Sequence, residues 1–332
     1  MNTHTKLGSN GPEVFPLALG AMGMSGMYGQ SSDEESIATI HAAIDRGITL
    51  IDTGDFYGMG HNEMLIAEAL KGVPREDYQL SVKFGALRDH GGGWNGYDAR
   101  PIAVKNFLAH TLQRLGVDYI DIYRPARLDP AVPIEDTVGA IAECIEAGWV
   151  RHVGLSEVGP ETLRRANAVH PVCDLQIEYA LTTRNIEKAV LPACRELGIG
   201  VTAYGVFSRG LLTGGWQPGE NAPGDFRSHA PRFQGEAGAS NLDVAADLAR
   251  MAAAFGLTAG QLALAWVLAQ GEDIVPLVGA RLPSRVTEAV GALAKGLGPD
   301  QLAALEAAIP PGAIAGERYA PAQMAMLDSE RR

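Results

Sequence analysis

The chain is poor in cysteine, in aromatic residues and in positive charge, and it has no long apolar run. Its three cysteines, Cys144, Cys173 and Cys194, lie far apart without a Cys-x-x-Cys pair. That spacing argues against a disulfide framework or a metal site and for buried thiols in a reducing compartment, so no metal is expected. Only 27 Lys and Arg stand against 39 Asp and Glu, for a net charge of −12. A field of that sign opposes nucleic acid or an anionic membrane surface as partner. No apolar stretch reaches the roughly 18 residues of a bilayer span, and MNTHTKLGSNG at the start has no basic segment leading into an apolar one. The expected address is the cytoplasm. A Gly-x-Gly-x-x-Gly after a first strand is also missing, which removes the Rossmann signal.

What is present is a globular composition: 332 residues, 46% hydrophobic, with 40 Gly and 19 Pro. Short apolar runs rich in β-formers alternate with longer runs of 3.6 period. The reading places strands at 15–20, 48–52, 78–85, 119–127, 150–157, 174–181, 199–206 and 273–280. Helices are expected around 31–47, 61–71, 101–115, 134–147, 160–169, 186–197, 242–256, 258–269 and 283–293. The first opens on Ser31-Ser32-Asp33-Glu34-Glu35, an acidic N-terminal cap, and stops at Gly47. Eight strand–helix units with no linker between them predict one α/β domain over 1–332, a (β/α)8 TIM barrel. An irregular stretch at 208–240 leaves the end of the seventh strand, the barrel face where sites are built, and is expected to act as a substrate or cofactor lid.

Polar residues at strand ends are therefore the candidates. Asp52 closes the second strand, Tyr57 follows five residues later, and Lys83 lies in the apolar strand Leu80-Ser81-Val82-Lys83-Phe84-Gly85. A lysine buried in such a strand needs a paired charge, and Asp52 on the neighbouring strand is the natural partner. A lysine beside Tyr57 is expected to lower the phenol pKa and so make it an acid.

These segments resemble the aldo-keto reductases. Leu19-Gly20-Ala21-Met22-Gly23-Met24-Ser25, the stretch from Asp52 to Gly58, Val82-Lys83-Phe84-Gly85, Gly154-Leu155-Ser156-Glu157, Gln176-Ile177-Glu178-Tyr179 and Ala203-Tyr204-Gly205 stand in that family's order and spacing. The resemblance implies a (β/α)8 barrel that reduces a small-molecule carbonyl with NADPH. It makes Tyr57 the proton donor, Lys83 its acidifier and Asp52 the partner of Lys83. It implies Tyr204 against the nicotinamide ring, Ser156, Glu157 and Gln176 at the carboxamide, and Gly20, Ala21 and Met22 along the cofactor. Gly205, Val206, Phe207, Ser208, Arg209 and Gly210 would face the pyrophosphate. Gly279, Ala280, Arg281, Arg285 and Glu288 would form the adenosine-phosphate loop, with the two arginines on a 2′-phosphate.

One departure stands out. Where the family usually carries a histidine after its fourth strand, this chain has Ala126, in Arg124-Pro125-Ala126-Arg127-Leu128-Asp129. Arg124 is a candidate for the space, Trp94 another pocket residue, and His152 is read as a core histidine. The pattern is similar to family members that include pyridoxal reductases, so pyridoxal reduction is an alternative activity. An NADPH-binding sensor without catalysis is the other. The terminal Glu330-Arg331-Arg332 is read as a frayed end.

Overall fold

The computed structural model describes residues 4–218 and 225–331. Residues 219–224 of the expected 208–240 loop, and Arg332, lie outside the described residues. Eight parallel strands close a barrel: β1 (Ala18–Gly20), β2 (Leu50–Gly54), β3 (Gln79–Phe84), β4 (Ile120–Pro125), β5 (Val150–Ser156), β6 (Val172–Glu178), β7 (Gly200–Tyr204) and β8 (Ile274–Gly279). Each pairs with the next, and β8 returns to β1 with Leu277 beside Ala18. Every residue of β2, β4 and β6 is buried, because helices cover the outside and side chains fill the inside.

Around the barrel run α1 (Asp33–Ile44), α2 (His61–Ala69), α3 (Pro101–Leu115), α4 (Ile134–Glu146), α5 (Pro160–Val169), α6 (Val190–Leu197), α7 (Gly235–Ala254), α8 (Ala259–Leu268) and α9 (Pro283–Leu293). Their ends follow local chemistry. The Ser32 side chain accepts from the Glu35 amide, and Asp33, Glu34 and Glu35 complement the positive end of α1. Proline opens α3, α5 and α9, where its missing N–H costs nothing. No single helix among the described residues is long and apolar enough to cross a membrane. The three cysteines are free and buried.

Several boundaries differ from the sequence reading. The first barrel strand begins at Ala18 rather than at residue 15, since Pro16 offers no ladder donor. Ahead of it a short hairpin, Thr5–Lys6 against Glu13–Val14, places Leu7 and Val14 in a fully buried cluster with Ala18, Leu50, Ile122 and Val275. This plug under the barrel leaves no periodic signal because its strands are only two residues long. A second hairpin, Ala86–Arg88 with Trp94–Tyr97, replaces the loop expected after β3. The expected 208–240 loop holds 3-10 turns at Ser208–Thr213, Phe226–Ser228 and Pro231–Phe233, and α7 starts at Gly235 instead of residue 242. Past α10 (Pro299–Ala308) the chain returns to the barrel as a strap, with Arg318 and Leu327 each 2% exposed.

Candidate active site

A cavity of about 660 Å³ opens at the C-terminal ends of the strands, in the size range of small-molecule sites. Its floor is charged and buried. Asp52 and Lys83 are inward-facing residues of adjacent strands, in the register that sets Asp52 beside Ser81 and Gly54 beside Lys83. The Lys83 ammonium donates to Asp52 Oδ1 and, at 2.9 Å, to Gln176 Oε1. Gln176 Nε2 and Ser81 Oγ each donate to Asp52 Oδ2 at 2.7 Å. Asp52 thus has the partner expected of it, and Gln176 closes the network from the far side of the barrel.

Tyr57 stands over this network on the 3-10 turn after β2, with Lys83 Nζ 5.3 Å from its ring centroid. One expectation is corrected here. The Tyr57 phenol is raised well above its ordinary value: burial pushes it up, Asp52 pushes the same way, and the opposing cation is Arg127. Lys83 gives Tyr57 little net charge because Asp52 neutralises it. Burial in turn pulls the Lys83 ammonium below its usual value, against Asp52. The hydroxyl therefore holds its proton at neutral pH.

Asp55, in the same segment, is 8% exposed and one of its oxygens has no partner. Burial and then Glu63 raise its carboxyl from 3.8 to about 7. The native state binds this proton more tightly than the unfolded chain, so the associated stability is full below the ordinary value and is lost as pH rises through about 7. Asp55→Asn, which cannot ionise, is expected to gain roughly 2 kcal/mol on the wild type between about pH 5 and pH 8 in urea unfolding. An equal difference at both pH values would show that Asp55 is ionised throughout.

Two further expectations fail in the same region. Arg124 does not line the cavity. It is fully buried inside the barrel, paired with Asp174 at 2.9 Å and donating to Ser81 Oγ at 2.8 Å. Gly154 makes room for it, since a Cβ there would lie 3.2 Å from the Arg124 guanidinium carbon and 2.7 Å from Asp174 Oδ1. Pro125, at the close of β4, lets the chain turn, so that Ala126 and Arg127 reach the cavity instead. Glu157 is also withdrawn from the cavity. It is fully buried and takes both arms of Arg318 at 2.9 Å, with Ser329 Oγ at 2.7 Å. Burial alone would raise its carboxyl, but Arg318, with Arg127 and the Tyr204 hydrogen bond, outweighs that and holds it well below the usual carboxylate range. Glu330, placed by the sequence reading in a frayed end, bonds Arg318 at 2.8 Å.

The strap thereby brings Tyr319 over the mouth, its hydroxyl 2.9 Å from that of Tyr204. Tyr204 donates to Glu157 Oε1 at 2.6 Å and presents its ring to the cavity, beside Ser156 and Gln176. Arg127 and Tyr319, which line the cavity, and Arg318 behind them are neighbours of the site that the sequence reading does not single out. Arg127 lies in a quoted segment, whereas nothing local marks the strap residues.

From this floor the cavity extends along Gly20, Met22 and the Gly205–Gly210 turn to Gly279, Ala280, Arg281, Arg285 and Glu288. Val206, Phe207, Arg209 and Gly210 face it, while Ala21 and Ser208 do not: the Ala21 amide is spent on the Asp52 carbonyl and the Ser208 hydroxyl on Thr182. Ser208 and Arg209 have φ of 47° and 58°, a strained turn of the kind that accumulates at sites. Arg209 is paired with Glu178 at 3.0 Å. Arg281 and Arg285 flank the start of α9, and Arg285 meets Glu288 at 2.9 Å. Gly279 has open space where a Cβ would stand. Trp94 is 45% exposed on the rim, its ring 5.6 Å from Phe56. His152 does not line the cavity and sits on β5 in register with Ile122.

A parallel (β/α)8 barrel whose mouth holds a tyrosine above a buried lysine–carboxylate pair, with two arginines at the far end of the same cleft, defines an α/β-barrel protein with a candidate active site at the C-terminal ends of its strands. Residues 16–310 match the aldo/keto reductase family, and the chain belongs to that family. It is 42% identical over 317 residues to a probable aldo-keto reductase 1 of Glycine max, covering 95% of this chain and 91% of the relative. Among solved structures, a glycerol dehydrogenase from Gluconobacter oxydans is similar with TM-score 0.83 and 29% identity, over 93% of this chain and 95% of that one. An aldo/keto reductase from Klebsiella pneumoniae in complex with NADP and acetate has TM-score 0.73 and 25% identity, over 95% and 98%.

Proposed function

We propose that this protein reduces an aldehyde or ketone to the alcohol with NADPH. The observation that carries the reading is the Tyr57 hydroxyl above the Lys83–Asp52–Gln176 network, at one end of a cleft that runs to Arg281 and Arg285. The NADP-bound relative from Klebsiella pneumoniae supports the choice of cofactor. The donors fit a dinucleotide: two guanidinium groups flank the start of an eleven-residue helix, where charge and dipole both favour a phosphate, and Gly279 leaves room beside them.

NADPH, when bound, supplies the hydride to the carbonyl carbon. Tyr57 gives its proton to the carbonyl oxygen; its phenol, raised above the ordinary value, is protonated at neutral pH. The alkoxide-like oxygen that develops is a stronger base than the phenolate left behind, so the transfer is favourable. Lys83 then faces a phenolate, and its bonds to Asp52 and Gln176 keep it aimed while solvent returns the proton. In this reading Tyr204 forms the wall against the nicotinamide, with Ser156 and Gln176 at its carboxamide. The Gly205–Gly210 turn serves the pyrophosphate, and Arg281 and Arg285 hold the 2′-phosphate.

The test is loss of reduced-nicotinamide absorbance with NADPH or NADH and a panel of small aldehydes, aromatic aldehydes, diketones and pyridoxal. Turnover that prefers NADPH supports the reading; tight NADPH binding without turnover of any carbonyl removes it. Arg281→Met with Arg285→Met is expected to weaken NADPH binding roughly tenfold or more by fluorescence titration, since each removes a charge-assisted bond, and to change NADH binding far less. Equal losses for both cofactors would move the 2′-phosphate elsewhere.

A further inference from the structure

Arg127, which is half-buried, differs from the buried and half-buried arginines Arg124, Arg209, Arg227, Arg232 and Arg318. These have side chains no more than 12% exposed, and each stands within 3.2 Å of a carboxylate oxygen. Arg127 has no carboxylate within ion-pair distance among the described residues. Its guanidinium donates to the Ala126 carbonyl at 2.6 Å, to Ser156 Oγ at 3.3 Å and to Tyr319 OH at 3.4 Å, all neutral acceptors. It lines the cavity with Tyr57, Trp94 and Tyr97. Glu157 favours its charge through space, but that carboxylate is spent on both arms of Arg318, and a half-buried guanidinium that bonds no carboxylate is incompletely satisfied. In a chain of net charge −12, no carboxylate among the described residues is bonded to it.

We propose that Arg127 is a specificity-determining residue that binds a carboxylate on the substrate, so that the preferred carbonyl compounds are aldehydes or ketones bearing a carboxylate group. The inference rests on the reductase reading above. A carboxylate suits the site because a planar fork of N–H donors matches its two oxygens, and its single negative charge balances one cation, which a phosphate of charge near −2 would exceed. The surrounding field agrees: burial would raise the Tyr319 phenol, yet Arg209 and Arg127 outweigh it and leave it below its ordinary value. Arg127 lies after β4, two strands round the barrel from Tyr57, and makes no hydrogen bond to it. It is therefore placed to hold a substituent while Tyr57 serves the reacting oxygen.

The experiment compares the 2-, 3- and 4-carboxybenzaldehydes with the matching methylbenzaldehydes, at saturating NADPH, for the wild type, Arg127→Met and Arg127→Lys. NADPH titration of each variant reports that the barrel is folded. The wild type is expected to favour at least one carboxylated isomer over its neutral match by roughly thirtyfold or more in kcat/KM, as removal of a charge-paired contact would predict. Arg127→Met is expected to erase that ratio through KM of the carboxylated aldehyde, and Arg127→Lys to restore part of it by charge without the fork. A wild-type ratio near one overturns the proposal, as does an equal loss for both aldehydes in Arg127→Met, which would assign the guanidinium to the reacting oxygen or to the fold. Turnover of neutral aldehydes without carboxylate preference leaves the reductase reading standing. Absence of all turnover takes both down.

Discussion

Tyr57→Phe is expected to lower turnover of every carbonyl substrate by roughly a hundredfold to ten-thousandfold, the range for removing a positioned proton donor. NADPH titration and unfolding should show the variant folded and still able to bind. The large effect follows from the geometry, because the proton source is a single buried hydroxyl, 6% exposed, over a network whose other members cannot replace it. Lys83 donates to Asp52 and to the Gln176 side-chain oxygen, and the Gln176 amide donates to Asp52. The raised phenol pKa adds a pH signature: wild-type reduction should not decline from loss of this proton anywhere below the ordinary tyrosine range. Turnover by the Tyr57→Phe variant close to that of the wild type would place the acid elsewhere in the cavity.

The largest effect on stability is expected at the strap. Arg318→Met leaves Glu157 fully buried without its paired cation, and breaking a pair of this kind costs roughly 3–5 kcal/mol, readable as a lower urea midpoint at unchanged slope. Glu157 has a native pKa far below the ordinary 4.5. Its contribution is therefore complete above that ordinary value and is lost as pH falls beneath it, so the variant's deficit should shrink in acid. Replacing both residues, Arg318→Met with Glu157→Gln, should recover much of the loss, because no buried charge then lacks a partner. A deficit under about 1 kcal/mol in the single variant would mean that solvent reaches Glu157. The same contacts hold Tyr319 against Tyr204 and Arg127, so loosening the strap should also raise KM for the carbonyl substrate.

The barrel is legible because its signals are local. Apolar periodicity recurs in eight strand–helix units, most of whose helices stop at a glycine, and a closed ring of βα units is what satisfies them all. The plug hairpin and the hairpin after β3 escape for the opposite reason: strands of two to four residues carry too few alternations to register. The Asp52–Lys83 pair is legible through a physical demand, since a lysine in an apolar strand must find a carboxylate and the adjacent strand end offers one.

Which arginine faces the cavity is not legible. Arg124 and Arg127 are three residues apart on one segment, and their fates separate because β4 ends at Pro125. The first is kept in the barrel interior with Asp174, and the second turns out over the mouth. Nor could spacing join Glu157 to Arg318, 161 residues away. The direction of the Tyr57 pKa shift is hidden for a related reason. Read along the chain, Lys83 already has Asp52 as its partner, but how far that pairing cancels its field at Tyr57, and how deeply the phenol is buried, are set only in the fold, where burial dominates.

Sequence by itself thus determined the (β/α)8 order, the family resemblance and the candidate acid with its lysine and carboxylate, all of which depend on residue type and on separations within one or two strand–helix units. Tertiary structure alone decided which charges are paired, which face the cavity and what covers its mouth. The reason is that burial and electrostatic field are sums over neighbours from every part of the chain, and those neighbours exist only once the barrel has closed.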